Sequence, residues 1–379
     1  MNHINELQNR LFDLKTGHTF YEITNSVGQQ WFISKVCMSV SLGMFQPSTY
    51  KGKLIKLFFP CLSLIGHVRN RLGIRKIQLK LNQSLQNLIS NIFHNDAFDY
   101  SIFCGSPGVH RKITIQIISE KKILGYCKVT NQEEIEKIFE NEHKILNYLH
   151  SIGIDQVPEC LFCGLLQDDI YVFIQSTVKT SKSILHCKNE VLLWSFLEDF
   201  NTKSSVKCDF KETDYYRDMD ELTSLLSSCK LDRSDVLLQA IGEVKIYFAD
   251  KKTFSSYHGD FTPWNTFIED NKLFAFDLEY FKKTYPPFLD YFHYYTQTAF
   301  YDSKWNNSRI YETFLTKVSE IKNYIDNPQL YYKAYILAII HFYLFRDGQF
   351  NPIITRQYNR IWIDLLIRLN NEDNKQNIG

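Results

Sequence analysis

The apolar positions of the chain change period several times, and each change marks a new element. From Gln78 to His94, Leu81, Leu85, Leu88, Ile89 and Ile92 recur at helical spacing, and Asn95-Asp96 closes the run. Ile113, Ile115 and Ile117 then alternate with polar neighbours, Ser119-Glu120-Lys121-Lys122 reads as a turn, and Ile123–Val129 as the returning strand. Helical spacing resumes over Glu133–Leu149, where Ile138, Ile145, Leu146 and Leu149 share one side. Val157-Pro158 opens another strand, and Ile170–Gln175 is an apolar strand that runs into Ser176-Thr177. Beyond it the pattern is mainly helical, over Glu190–Phe200, Tyr215–Ser227, Ser234–Phe248, Asn307–Tyr324, Gln329–Phe345 and Thr355–Leu369. Two short strands interrupt this part, Thr266–Glu269 and Lys272–Phe276, turned at Asp270-Asn271. The chain therefore divides into a segment 1–98, a β-rich part 99–177 and a mainly helical part 178–379.

Composition changes this picture at the N-terminal end. At 379 residues, 44% hydrophobic and 22% charged, the chain is ordinary globular material with room for two or three domains. Its net charge of +1 conceals an asymmetry: residues 1–76 hold ten Lys and Arg against three acids. The remainder is acidic overall and predicts no basic nucleic-acid groove. Lys51 to Lys76 contains no acid, and Leu57–Val68 is an uncharged run interrupted by Pro60 and Gly66. A spanning helix needs roughly 20 apolar residues, which this run lacks. Leu54, Ile55, Leu57, Phe58 and Phe59 with basic flanks fit an anionic membrane surface, but a helix packed on the protein's own body or on a partner explains the same pattern and is the preferred expectation. Residues 1–98 are thus expected as a basic, helical extension.

The nine cysteines are scattered and odd in number, and the polar, amphipathic start does not resemble a secretory leader, so a reducing cytoplasm is the expected setting. Cys160 and Cys163 form a lone Cys-x-x-Cys with no second pair or His cluster, which reads as structural thiols rather than a zinc or redox site.

The chemistry concentrates in Ser256-Tyr257-His258-Gly259-Asp260-Phe261-Thr262-Pro263-Trp264-Asn265 and in Leu273-Phe274-Ala275-Phe276-Asp277-Leu278-Glu279. Phosphoryl transfer asks the protein mostly for positioning and for neutralisation of charge by a metal ion. Asp260, with His258 beside it, is the candidate for orienting an attacking hydroxyl and accepting its proton. Asn265 and Asp277 offer hard oxygen ligands of the kind Mg²⁺ takes. The predicted hairpin brings those two side by side.

Upstream, Gly105-Ser106-Pro107-Gly108 precedes the strand pair. Its glycines, Gly105 and Gly108, let backbone amides around Ser106 approach phosphate oxygens, although a plain turn has the same composition. Lys128 sits in an otherwise apolar strand, where a charge is costly unless paired. Its natural partner is a carboxylate on the following helix.

His258-Gly259-Asp260 with Asn265, followed by Phe276-Asp277-Leu278-Glu279, resembles the catalytic and metal-binding signatures of the aminoglycoside phosphotransferase and choline kinase family, distant relatives of protein kinases. The similarity is clearest from about residue 100 to 300. The family more often has Gly-Asn where this chain has Trp264-Asn265, so the loop floor is bulkier here. The resemblance implies an α+β, two-lobed protein-kinase-like fold with a small β-rich lobe and a mainly helical lobe. It selects Glu142 as the partner of Lys128, places Gln175 and Thr177 in a linker that meets the nucleotide base, and suggests that Asp290 braces the catalytic loop. ATP and Mg²⁺ are the implied cofactors, with GTP as a rival donor. The implied acceptor is a hydroxyl of a small molecule or a sugar, and a weaker resemblance over Gly105–Lys128 points to bacterial surface-glycan assembly at the inner membrane face. The rival class is a nucleotide-binding scaffold that has lost catalysis and organises other enzymes, yet such relatives typically lack a base or a metal ligand that this chain keeps.

Overall fold

Eight antiparallel strands dominate the first part of the chain. The computed structural model describes residues 3–47, 49–108, 110–185, 187–228, 233–345 and 361–370, which divide into two compact units, Met1–Ser151 with Val157–Ile184, and Ile152–Gln156 with Leu185–Gly379. In the first unit the helix α1 (His3–Leu11) leads into β1 (Phe12–Thr24) and β2 (Gln30–Ser34). Helices α2 (Met38–Ser41), α3 (Tyr50–Leu64) and α4 (Gly66–Arg71) follow, then β3 (Ile74–Leu81), α5 (Gln83–Phe93) and β4 (Asp99–Phe103). The unit continues with β5 (Ile113–Ser119), β6 (Lys122–Thr130), α6 (Glu133–Ser151), β7 (Cys160–Gln167) and β8 (Ile170–Ser176). The strand order is β3-β1-β2-β4-β5-β6-β8-β7.

Residues 1–98 are not the purely helical extension that their composition suggests. The helices are present, but β1, β2 and β3 carry the sheet beyond β4, through the pairs Trp31↔Phe103 and Phe32↔Ile102. The physical reason is burial on both faces. Phe20 faces one core, with Leu79, Leu85 and Ile102, whereas Tyr21 and Ile23 face another, with Trp31, Ile33 and Phe59. No alternation of apolar and polar residues survives in such a strand. The helix read from Gln78 is likewise shorter than its spacing implies: Gln78–Leu81 closes β3, and Asn82 caps α5 by accepting from Leu85 N–H at 2.9 Å. Helix α3 continues through Pro60 and ends at Leu64, before Gly66.

One face of the sheet is covered by α1, through Ile4, Leu7 and Leu11, and by α5, through Leu85 and Ile89. Each such side chain contributes roughly 1.5–3 kcal/mol by leaving water. Ile113, Ile115 and Ile117 supply the β5 layer of this core, with Cys127 and Val129 from β6. Strands β5 and β6 are joined through Glu120 and Lys121, both at positive φ (49° and 65°), the backbone of a tight two-residue hairpin.

The second unit is mainly helical. After the short β9 (Ile184–Leu185) come α7 (Glu190–Lys203), β10 (Val206–Lys207), α8 (Asp214–Ser228), α9 (Ser234–Phe248) and β11 (Thr253–Tyr257). The hairpin of β12 (Thr266–Glu269) and β13 (Lys272–Ala275) is followed by β14 (Lys282–Tyr285), α10 (Leu289–Gln297), α11 (Asn307–Ile321) and α12 (Pro328–Phe345). Residues 361–370 form a further helix; the rest of the helix expected from Thr355, residues 355–360, lies outside the described residues. Aromatic side chains make much of this core: Phe292 stacks on Tyr332 at 5.1 Å, and Tyr215, Tyr335, Phe248 and Phe261 are fully buried. Among the described residues no helix is long and apolar enough to cross a membrane.

Candidate functional site

In the second unit the loop after β11 is built on an inward–outward alternation. His258 is buried, and its backbone N–H donates to Asp290 Oδ2 at 2.9 Å. Gly259 follows at φ +85°, where a Cβ would lie 2.4 Å from the Tyr280 carbonyl oxygen, so only glycine fits. Phe261 anchors the loop from below, stacked on Phe196 at 5.3 Å and packed against Tyr294 at 5.5 Å. Between these anchors Asp260 points outward, its side chain 34% exposed.

Two neighbours hold the Asp260 carboxylate. Asn265 Nδ2 donates to Asp260 Oδ2 at 2.8 Å, and also to the Asp260 carbonyl at 3.0 Å. His293 Nε2 lies 3.3 Å from Oδ1. His293 is the residue that motif reading missed: it stands 33 positions away, and only the packing of α10 under the loop brings it to Asp260. Its sequence signal is faint, the lone His in Leu289-Asp290-Tyr291-Phe292-His293.

The β12–β13 hairpin joins the other carboxylate to this group. Asp270 and Asn271 form its turn with φ of 47° and 58°. Phe276 N–H donates to the Asn265 carbonyl at 3.0 Å, which sets Asp277 one residue beyond the pairing. Asp277 itself has φ +69°, a left-handed conformation that Asp, like Asn, adopts more readily than most non-glycine residues. The donor set is a carboxamide and a carboxylate at the ends of paired strands, hard oxygens that suit a small divalent cation. Trp264, preceding Asn265, packs edge-on against Tyr301 at 5.7 Å.

Asp290 is fully buried near the start of α10. Burial pushes its carboxyl up to about 7, against backbone N–H donors from His258 and Gly259 that lower it. Burial also lowers His258 to about 4, against the raising effect of Asp260 and Asp277, so the ring is neutral at pH 7. Its Nδ1 faces the Asp260 N–H at 3.3 Å, which puts the proton on Nε2. The folded pKa lies below the unfolded value of 6.5, so as pH falls from about 6.5 to about 4 the unfolded chain binds this proton first. Stability is lost across that window, on the order of 3 kcal/mol for a shift of this size. His258→Asn, whose side-chain oxygen can replace Nδ1 as acceptor, should flatten the dependence of the urea midpoint on pH between 4 and 6.5. An unchanged slope would show that other groups carry the acid sensitivity.

The first unit holds the remaining candidates. Lys128 lies on β6 between β5 and β8, opposite Thr114 and Phe173, in the middle of the sheet and not at an edge. Its ammonium donates to both Glu142 oxygens, at 3.0 and 2.8 Å, and both residues are buried (4% and 1% exposed). The Phe173 ring lies 5.4 Å from the Lys128 Nζ. Gly105, at φ +63°, opens the β4–β5 connection; a Cβ there would meet the Lys112 carbonyl oxygen at 2.6 Å, while nothing lies within 4 Å of one on Gly108. Arg111 pins this loop by donating to the Cys104 and Gly28 carbonyls at 2.8 and 2.9 Å, and Ser106 accepts from Gln29. Gln175 is buried near the end of β8, its side-chain oxygen without a hydrogen-bond donor among the described residues, and Thr177 accepts from Lys179 N–H at 3.1 Å. Cys160 and Cys163 are free thiols on β7, and burial pushes Cys160 up to about 12, far from a reactive thiolate.

No family model matches the chain, and no curated protein matches it in sequence. Solved structures do. A thermostable mutant of the aminoglycoside phosphotransferase APH(4)-Ia, in ternary complex with ADP and hygromycin B, superposes with a TM-score of 0.51 at 10% identity, over 76% of this chain and 99% of that one. Another mutant of the same protein, with AMP-PNP and hygromycin B, gives a TM-score of 0.50 at 12% identity over the same shares. At such identities the likeness speaks for architecture, and the architecture is plain: this chain has the two-lobed, protein-kinase-like α+β fold of the aminoglycoside phosphotransferases.

Proposed function

We propose that the protein is an ATP- and Mg²⁺-dependent phosphotransferase that acts on a hydroxyl group of a small molecule. The observation that carries this reading is the Asp260 carboxylate, outward-facing and oriented from two sides by Asn265 and His293, on a loop fastened to Asp290. A general base has to be reachable by the acceptor hydroxyl and fixed in direction, and both conditions are met. In the same reading the Asn265 nitrogen is committed to Asp260, so its oxygen, with the Asp277 carboxylate, would hold Mg²⁺. When bound, the ion would offset charge on the nucleotide phosphates. The Lys128–Glu142 pair has the arrangement that protein kinases use for those phosphates, a strand lysine held by a helix carboxylate. The β4–β5 loop, one strand before Lys128, would cover them with the amides around Gly105, Ser106 and Gly108, and Gln175 and Thr177 would meet the base. Solved proteins of this fold hold ADP or AMP-PNP together with hygromycin B, which supports a nucleotide and a small-molecule acceptor.

The metal assignment has its own test. Nucleotide binding to wild type should tighten with added Mg²⁺, and Asp277→Ala should lose that dependence while keeping its weaker, metal-free binding. Titration calorimetry with and without Mg²⁺ reads both. Equal Mg²⁺ enhancement in the two proteins would remove Asp277 from the metal role.

A further inference from the structure

The outer face of α3 inverts the usual arrangement of an amphipathic surface helix. Its inward stripe is modest: Gly52, Phe59 and Ser63 are buried and Ile55 is half-buried. Opposite it, Tyr50, Leu54, Leu57, Phe58, Cys61 and Leu64 recur at i, i+4, i+7, i+8, i+11 and i+14, one continuous stripe on a 3.6-residue helix. That stripe is exposed: Tyr50 by 78%, Leu57 by 70%, Phe58 by 52% and Leu64 by 78%. Isolated apolar residues on a surface need no explanation, but a contiguous row of this size marks a surface that something covers.

The charges say what covers it. On the helical wheel Lys51 and Lys53 flank the stripe on its two sides, and both are exposed. Helix α4 continues with Arg69 and Arg71, and no acid occurs anywhere from Lys51 to Lys76. A second copy of the chain docking by a two-fold axis would set this cationic patch against itself. An apolar stripe edged by cations instead fits a lipid interface, with the stripe among the upper acyl chains and the lysines at the phosphates. Helix α3, 15 residues long, spans about 22 Å. That is enough to lie in the interface plane and too little to cross a bilayer.

We propose that α3 and α4 form a peripheral docking surface for an anionic lipid bilayer. The structure contributes what composition left open: among the described residues, these apolar side chains stay exposed in large part.

Co-sedimentation of the full chain with vesicles tests it, using phosphatidylcholine alone and phosphatidylcholine with about one-third phosphatidylglycerol. Binding should require the anionic lipid and weaken steeply toward about 1 M salt, where the Debye length falls to about 3 Å. Lys51→Gln with Lys53→Gln should lower the partition coefficient about thirtyfold, equivalent to about 1 kcal/mol for each cation near an anionic surface. Leu57→Gln with Phe58→Gln should abolish binding at any salt, with the thermal midpoint unchanged because both side chains are exposed. Three results would overturn the proposal. These are no binding of wild type at low salt, binding untouched by the Leu57/Phe58 change, and a protein complex or self-association lost with Leu57/Phe58 while vesicles are ignored. Vesicle binding is read without nucleotide, so its failure leaves the phosphotransfer reading standing.

Discussion

Replacing Asp260 by Asn should leave folding and nucleotide binding intact while lowering turnover about 10²-fold or more, the contribution of a positioned base. The site is arranged to tolerate the exchange. Asn at 260 can turn its oxygen to the Asn265 Nδ2 donor and its amide nitrogen to His293 Nε2, which then needs only a change of tautomer. What would disappear, on the proposed reading, is the capacity to accept a proton from the acceptor hydroxyl. Because the acceptor is unidentified, slow Mg²⁺-dependent ATP hydrolysis, with water in place of the acceptor, supplies the readout. Wild type should exceed both Asp260→Asn and Asp277→Ala. Equal rates in all three, together with no phosphorylated product from a cell extract, would favour a nucleotide-binding scaffold over an enzyme. Near-normal single-turnover transfer by Asp260→Asn would remove Asp260 from the base role alone.

The second large effect is expected at the Lys128–Glu142 pair, where stability and activity should separate. Removing one partner leaves a buried, uncompensated charge, so Lys128→Ala or Glu142→Ala should each cost about 3–5 kcal/mol of unfolding free energy. Exchanging both for apolar residues of similar bulk, Lys128→Met with Glu142→Leu, removes the desolvation penalty along with the attraction. That protein should lie well above the sum of the single losses, with a coupling of about 0.5–3 kcal/mol or more. On the proposed reading it should nevertheless fail to turn over ATP, since the Lys128 ammonium is no longer there to meet the phosphates. Additive stability losses would make the two residues independent, and unimpaired turnover in the apolar pair would remove them from nucleotide handling. Denaturant unfolding and the hydrolysis assay together read all the outcomes.

Parts of this protein could be read without any tertiary information, and they are the parts whose causes are local. Asp270-Asn271 makes a tight hairpin because both residues tolerate positive φ, and the flanking Thr266–Glu269 and Lys272–Ala275 pair in register across it. Ser234–Phe248 is helical over the range its periodicity implies. The burial of Lys128 with a carboxylate was also legible, since an unpaired charge in an apolar strand is too costly to survive and the next helix is rich in glutamates. Three other features depended on contacts between distant segments. Strands β1 and β2 lack alternation because two different cores take their opposite faces, so they carry no period to detect, whereas the alternating end of β3, Ile77, Leu79 and Leu81, runs into a helical spacing that masks it. His293 reaches Asp260, and Asp290 reaches the His258 backbone as the family resemblance suggested, because α10 packs beneath the loop 258–265. The outer stripe of α3 has the spacing of a buried helix face, and whether such a stripe turns inward or outward is decided by what else competes for the core. Here Phe59, packed edge-on against Tyr21 at 5.7 Å, takes the inward position and leaves Leu57 and Phe58 outside. Local propensity and spacing determined the elements and the chemistry-bearing loop; which faces were buried, and which distant side chains met, was settled by the competition for a finite interior.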